Sequence, residues 1–131
     1  MKVVLDSNAL LLPFEPGIDI FRGIEKLVDG RPEYVVFRQS VNELKSKSRK
    51  ERLRVEAVVK ALEKNGAEML EKEGGGKVDE MIIDYAAKHK GSVAVCTEDR
   101  ELKKKLKEIG GVQLIFSKGG SHMATDWQRN D

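Results

Sequence analysis

The feature that most constrains the fold of this chain is an alternation. Short apolar runs recur along it, and each is followed by a stretch with helical periodicity. The runs are Val3-Val4-Leu5, Tyr34-Val35-Val36-Phe37, the weaker Glu68-Met69-Leu70-Glu71, Val93-Ala94-Val95-Cys96 and Val112-Gln113-Leu114-Ile115-Phe116. They read as strands 1 to 5, because β-branched and aromatic residues in runs of this length fit a pleated, buried surface. Between them, Ile20, Phe21, Ile24, Leu27 and Val28 recur at helical spacing, as do Leu53, Val55, Val58, Val59 and Leu62. Val78, Met81, Ile82, Tyr85, Ala86 and His89 form a third such face, and Leu102, Leu106 and Ile109 a fourth. Strands alternating with helices predict an α/β fold: a parallel sheet with helices on both faces.

Breakers punctuate the pattern where it should break. Pro16-Gly17, Asp29-Gly30-Arg31-Pro32, Asn65-Gly66 and Gly110-Gly111 separate the elements. Gly74-Gly75-Gly76 reads as a flexible joint. Ser40, with Glu43 three residues on, has capping-box spacing and predicts a helix start there.

Composition narrows the class. The 131 residues are one domain's worth of sequence, and 40% hydrophobic content is too high for a disordered chain. No apolar run reaches the roughly 18 to 20 residues of a membrane span, and the N-terminus lacks a secretory signal. A single cysteine, Cys96, forms no internal disulfide, and with only His89 and His122 a histidine-based metal centre is not expected. A soluble, cytoplasmic protein is the expectation. At the C-terminus, Gly120-Ser121-His122-Met123 reads like a cloning scar, and nothing periodic follows. Residues 118–131 are therefore expected to be a vector-derived or disordered tail, apart from a domain over 1–117.

The net charge of +2 hides clustering. Lys45, Lys47, Arg49, Lys50, Arg52 and Arg54 form one basic stretch, and Arg100, Lys103, Lys104, Lys105 and Lys107 another. Such stripes can follow a phosphate backbone, and they also suit a solvated helix face.

Four acids share one topological position. Asp6 ends strand 1, Glu43 lies early in the helix after strand 2, Asp79 early in the helix after strand 3, and Asp99 shortly after strand 4. All fall at the carboxyl edge of the predicted sheet, where open α/β sheets bind ligands. Taken singly, Glu43, Asp79 and Asp99 also suit helix N-termini. Asp6 ends a buried strand, and that turns the set toward a site. Gathered carboxylates repel, by roughly 4 kcal/mol for unit charges about 4 Å apart at an effective dielectric near 20. Shifted pKa values or a bound cation must relieve this. Oxygen ligands without His or Cys suit Mg²⁺ or Mn²⁺, ions that bind phosphate oxygens and activate water. The residues alone thus point to metal-dependent phosphodiester chemistry on nucleic acid.

In these same places the sequence resembles the PIN-domain ribonucleases. Asp6-Ser7-Asn8 resembles the opening motif of that family, Val41-Asn42-Glu43-Leu44 the second, Val78-Asp79-Glu80 the third, and Thr97-Glu98-Asp99-Arg100-Glu101-Leu102 the fourth. The resemblance runs from about Val3 to Phe116. It implies a three-layer, Rossmann-like PIN fold with a mostly parallel five-stranded sheet in the order 3-2-1-4-5. It also implies Mg²⁺- or Mn²⁺-dependent endonucleolytic cleavage of single-stranded RNA. Carried over, Asp6, Asp79 and Asp99 are expected metal ligands and Glu43 the fourth catalytic acid. Ser7, Asn8 and Thr97 would support the carboxylates by hydrogen bonds. Arg38, Lys45, Lys47 and Arg49 are the expected RNA contacts. Glu98 stands where the family often has Asn, and would either add an acid to the site or face solvent.

Two roles suit such an enzyme: the toxin of a toxin–antitoxin pair, or an RNA-processing nuclease of the rRNA-maturation kind. An antitoxin, a ribosome-assembly protein or a second copy of the chain are the corresponding partners, and no membrane is expected among them. The alternatives are a catalytically weak RNA-binding or scaffold domain of the same fold, or a receiver- or phosphatase-like Rossmannoid with Asp6 as nucleophile.

Overall fold

The structure, a computed structural model, describes residues 1–71 and 76–127. Gly74 and Gly75 of the expected joint, and Arg129 and Asp131 of the expected tail, lie outside the described residues.

Six strands form one sheet: β1 (Lys2–Leu5), β2 (Glu33–Phe37), β3 (Glu68–Leu70), β4 (Val93–Cys96), β5 (Val112–Lys118) and β6 (His122–Trp127). Their order is β3-β2-β1-β4-β5-β6. The first five are parallel in the expected order, and β6 pairs antiparallel with β5. At the centre, Val4 of β1 stands beside Val35 of β2 and Val95 of β4.

The strands are apolar on both faces because both faces are covered. Val3, Leu5, Tyr34, Val36, Ala94 and Cys96 point into one core, against α1 (Ile20–Leu27), α2 (Arg38–Lys45) and α3 (Arg49–Lys64). Val4, Val35, Phe37, Val93 and Val95 point into the other, against α4 (Val78–Lys88) and α5 (Arg100–Ile109). Each buried Val, Leu or Ile contributes about 1.5–3 kcal/mol relative to an exposed one. The result is the three-layer α/β architecture expected. Among the described residues no helix is long and apolar enough to cross a membrane.

Three expectations need correction. The first concerns Ser40, which does not start a helix. The chain turns into α2 directly from β2, with Phe37 at the N-cap position and no side-chain cap, and Ser40 is buried inside α2. The side-chain cap sits eight positions further on. Ser48 caps α3 by accepting the Glu51 N–H at 3.1 Å. Ser48-Arg49-Lys50-Glu51 has the same spacing, and burial of Val41 and Leu44 draws the earlier segment into a helix of its own.

The second correction is the tail. Residues 122–127 are the sixth strand, not an unstructured end. Gly119 and Gly120, both with positive φ, make the turn back along β5. Met123 is buried in the α1–α3 core, and Gly23 of α1 lies directly beneath it. A Cβ added to Gly23 would meet Met123 Cγ at 2.6 Å.

The third is a short 3-10 helix, Ser7–Leu11, that periodicity did not disclose. It buries Ala9 and Leu10 and turns the chain immediately after β1.

Candidate active site

The parallel strands end at one edge of the sheet, and the turns after β1, β2 and β4 and the start of α4 meet there. Asp6 is the first residue beyond β1. Its N–H bonds the Cys96 carbonyl at 3.0 Å, so it continues the ladder with β4 and its position is fixed by the sheet. Its side chain is fixed as well. Oδ1 accepts the Ser7 N–H at 2.8 Å and Oδ2 accepts the Thr97 hydroxyl at 2.7 Å.

Thr97 is fully buried and its Oγ1 also accepts the Asp99 N–H, at 3.1 Å. One hydroxyl therefore connects the acid after β1 to the acid after β4. Asn8 ties the same two turns, its Oδ1 accepting the Glu98 N–H at 3.0 Å. Asp99 caps α5, its Oδ1 accepting the Glu101 and Leu102 N–H groups at 2.9 and 3.1 Å. Its other oxygen takes no hydrogen bond from the described residues. Asp79 lies in the first turn of α4 and accepts the Glu80 N–H at 3.0 Å. Glu43 is exposed on α2, and no described residue engages its carboxylate.

Asp6, Glu43, Asp79 and Asp99 line one open groove of about 360 Å³, together with Ser7 and Asn8. Burial holds the Asp6 carboxyl above the usual aspartate value. The hydrogen bonds from Thr97 and Ser7 work against that rise, and the charges of Asp99 and Asp79 add to it. Cys96, behind Asp6 on β4, is wholly buried, and burial pushes its thiol far up. It is a small apolar packing residue and not a nucleophile.

The family model for the PIN-like domain matches residues 3–119. The chain belongs to the PIN-like domain family. Sixteen chains among solved structures match it. One is the PIN domain endonuclease Utp24, with a TM-score of 0.76 and 19% identity over 99% of this chain and 96% of that one. At that identity the likeness is one of fold. No curated protein matches in sequence. Membership of the PIN-like family sets aside the receiver- and phosphatase-like alternatives.

In this PIN-like domain the four acids and two supporting residues read from the sequence reach the same groove, and Thr97 reaches it through Asp6. Glu98 does neither of the things expected of it. It is half-buried, and its Oε1 accepts the Ser117 N–H at 2.9 Å, holding β5 rather than lining the groove. The four basic residues expected to contact RNA do not line the groove. Arg38 pairs with Glu71. Arg38 and Lys45 border a separate cavity of about 220 Å³ that also carries Glu63 and Glu68. Lys47 and Arg49 are exposed around the α2–α3 turn.

Gln39 and Lys77 line the groove and were not singled out. Gln39 stands one helical turn before Glu43, a spacing that puts both on one face of α2. Its Nε2 donates to the Gly76 carbonyl at 2.8 Å, fastening α2 to the start of α4. Lys77 immediately precedes α4 and, among the described residues, is the cation in the acidic lining.

The donor set suits a hard divalent cation. Every candidate ligand is a carboxylate oxygen, and Asp6 stands desolvated beside like charges. Among the described residues no group of three or more His, Cys, Asp or Glu side chains stands ready to hold a metal ion. That is compatible with Mg²⁺, which keeps several waters and takes only one or two carboxylates directly.

Proposed function

We propose that this PIN-like domain is an endoribonuclease that hydrolyses phosphodiester bonds of single-stranded RNA with Mg²⁺ or Mn²⁺. One observation carries the reading. Acids from four separate elements line a single open groove at the carboxyl edge of the sheet, and the most buried of them, Asp6, has no cationic partner among the described residues.

In this reading Asp6, Asp79 and Asp99 would hold the cation, one or two of them directly and the others through its waters. When bound, it neutralises phosphate oxygens and makes a water more acidic. Ser7 and Thr97 keep both oxygens of Asp6 aimed by donating to them. The same Thr97 hydroxyl fixes the backbone of Asp99. Glu43, engaged by no described residue, orients the attacking water and takes its proton. Lys77 lies against a non-bridging phosphate oxygen. The water oxygen forms a bond to phosphorus as the bond to one ribose oxygen breaks, and that oxygen leaves as a hydroxyl after taking a proton from solvent.

The test uses a circular single-stranded RNA, which only an endonuclease can open. Linear product with Mg²⁺ or Mn²⁺, and none with EDTA, supports the reading. A circle that stays closed under both metals contradicts it.

A second reading is favoured by the lack, among the described residues, of a ready three-acid group: a catalytically weak RNA-binding or scaffold domain. It predicts binding of the circle without opening. On the leading reading, the biological role is that of a toxin silenced by an antitoxin peptide, or of an RNA-processing enzyme working with ribosome-assembly proteins. A cytoplasmic location goes with this reading, and a homodimer would gather basic surfaces around a shared substrate groove.

A further inference from the structure

An RNA strand cannot be held by the acidic groove alone, because carboxylates and phosphates repel. A nuclease site of this kind needs cations just outside it. The basic stretch that runs through α2 and into α3 is poorly suited to supply them from α2. Arg38 is engaged by Glu71, and the cavity it shares with Lys45 is lined by Glu63 and Glu68.

The other basic cluster is placed differently. Arg100, Lys103, Lys104 and Lys107 are spaced i, i+3, i+4 and i+7, so they share one face of α5. The four line one open cavity of about 310 Å³, floored by Leu114 and Phe116 of β5 and bordered by Asp126 of β6. Lys103 Nζ lies 4.6 Å from the centre of the Phe116 ring, a cation–π interaction that holds its charge over the floor. Lys107 pairs with Asp126 at 3.0 Å. Among the described residues, Arg100 and Lys104 have no carboxylate partner. Glu101 and Glu108 of the same helix do not line the cavity. Adjacent residues at the start of α5 line the two grooves, Asp99 the acidic one and Arg100 the basic one. From Arg100 to Lys107 the stripe runs about 10 Å along the helix axis.

Resting on the nuclease reading above, we propose that the substrate strand leaves the acidic groove along α5, its phosphates held by Arg100 and Lys104, which no described carboxylate engages, rather than past Lys47 and Arg49, which line neither groove. Lys103, held by Phe116, lines the floor of the track. These cations touch phosphate and carry no base preference of their own.

The test is fluorescence anisotropy with a short labelled single-stranded RNA in EDTA, so that binding is read without turnover. The proteins are wild type, Arg100→Gln/Lys104→Gln, and Lys47→Gln/Arg49→Gln. Each phosphate that goes unneutralised should reduce the slope of log affinity against log salt by about 0.7, so the α5 double variant should lose about 1.4 and bind about tenfold more weakly. The Lys47/Arg49 variant should match wild type in both. Unchanged binding by the α5 variant, an equal loss in the Lys47/Arg49 variant, or no binding by wild type would each overturn the track. Hydrolysis of bis(p-nitrophenyl) phosphate with Mn²⁺ keeps the two readings apart, since so small a diester does not reach α5. Failure of wild type on this diester counts against the catalytic site and leaves the binding comparison to judge the track. An α5 variant that hydrolyses it at the wild-type rate while losing RNA affinity supports the track directly.

Discussion

At the residue scale the site turns on Asp6 and Thr97. Asp6 is buried beside two other acids, and its folded-state pKa lies above its unfolded value. Ionising it therefore costs the metal-free fold stability. The cost is absent below the unfolded value of about 3.8 and grows as pH rises through the raised folded value. Metal-free Asp6→Asn should accordingly melt at or above the wild-type temperature at neutral pH, with the difference shrinking as pH falls toward 4. Thermal melts across that range check the sign. A cation that binds only the folded site reverses the comparison, so Mn²⁺ should raise the melting temperature of wild type and not of Asp6→Asn. Thr97→Val keeps the side-chain shape, removes the donor to Asp6 Oδ2 and leaves the Asp99 N–H without its acceptor. It should cost about 1–3 kcal/mol of stability by denaturant titration. Cleavage should fall about 10–100-fold, as for loss of a partner that aims a metal ligand.

At the scale of elements, most of what positions the site could be read from the sequence, because buried parallel strands are short, apolar and β-branched whatever follows them. Val3–Leu5 and Val93–Cys96 announce themselves in this way. The acids could be read as a set only through topology, since the spacing of Asp6 and Asp99 in sequence says nothing until strands 1 and 4 are neighbours. What could not be read was governed by tertiary packing. Ser40 had a capping signal that burial inside α2 overrode, and Glu98 is committed to Ser117, a partner nineteen residues away. The strand at His122–Trp127 lacks an apolar alternation, because only Met123 of it is buried. Its pairing with β5 and its seat on α1 make it an element. Gly23→Ala tests that seat. In an exposed helix this change would stabilise by about 1 kcal/mol. Here the added methyl meets Met123 close to its backbone, so a loss of about 1–3 kcal/mol is expected. The double variant Gly23→Ala/Met123→Ala should recover part of that loss relative to Met123→Ala alone. Denaturant melts of the four proteins complete the cycle.

At the scale of the whole molecule, charge is divided by the sheet edge. Acids occupy the groove where the parallel strands end, and cations line α5 beside it. A PIN-like domain of modest net charge can in this way present a strongly acidic site and a strongly basic approach within one small surface. The central claim is that Asp6, Glu43, Asp79 and Asp99 act as one unit. The measurement that tests it most directly is the Mg²⁺-dependent cleavage rate of a labelled single-stranded RNA by Asp6→Asn, Glu43→Gln, Asp79→Asn, Asp99→Asn and the Asp6→Asn/Asp99→Asn pair. Residues that work as a unit are non-additive. Each single variant should lose at least about 10²-fold, and the pair should be little worse than Asp6→Asn alone. Wild-type rates in any one of the four, or losses that multiply in the pair, would contradict a single shared site.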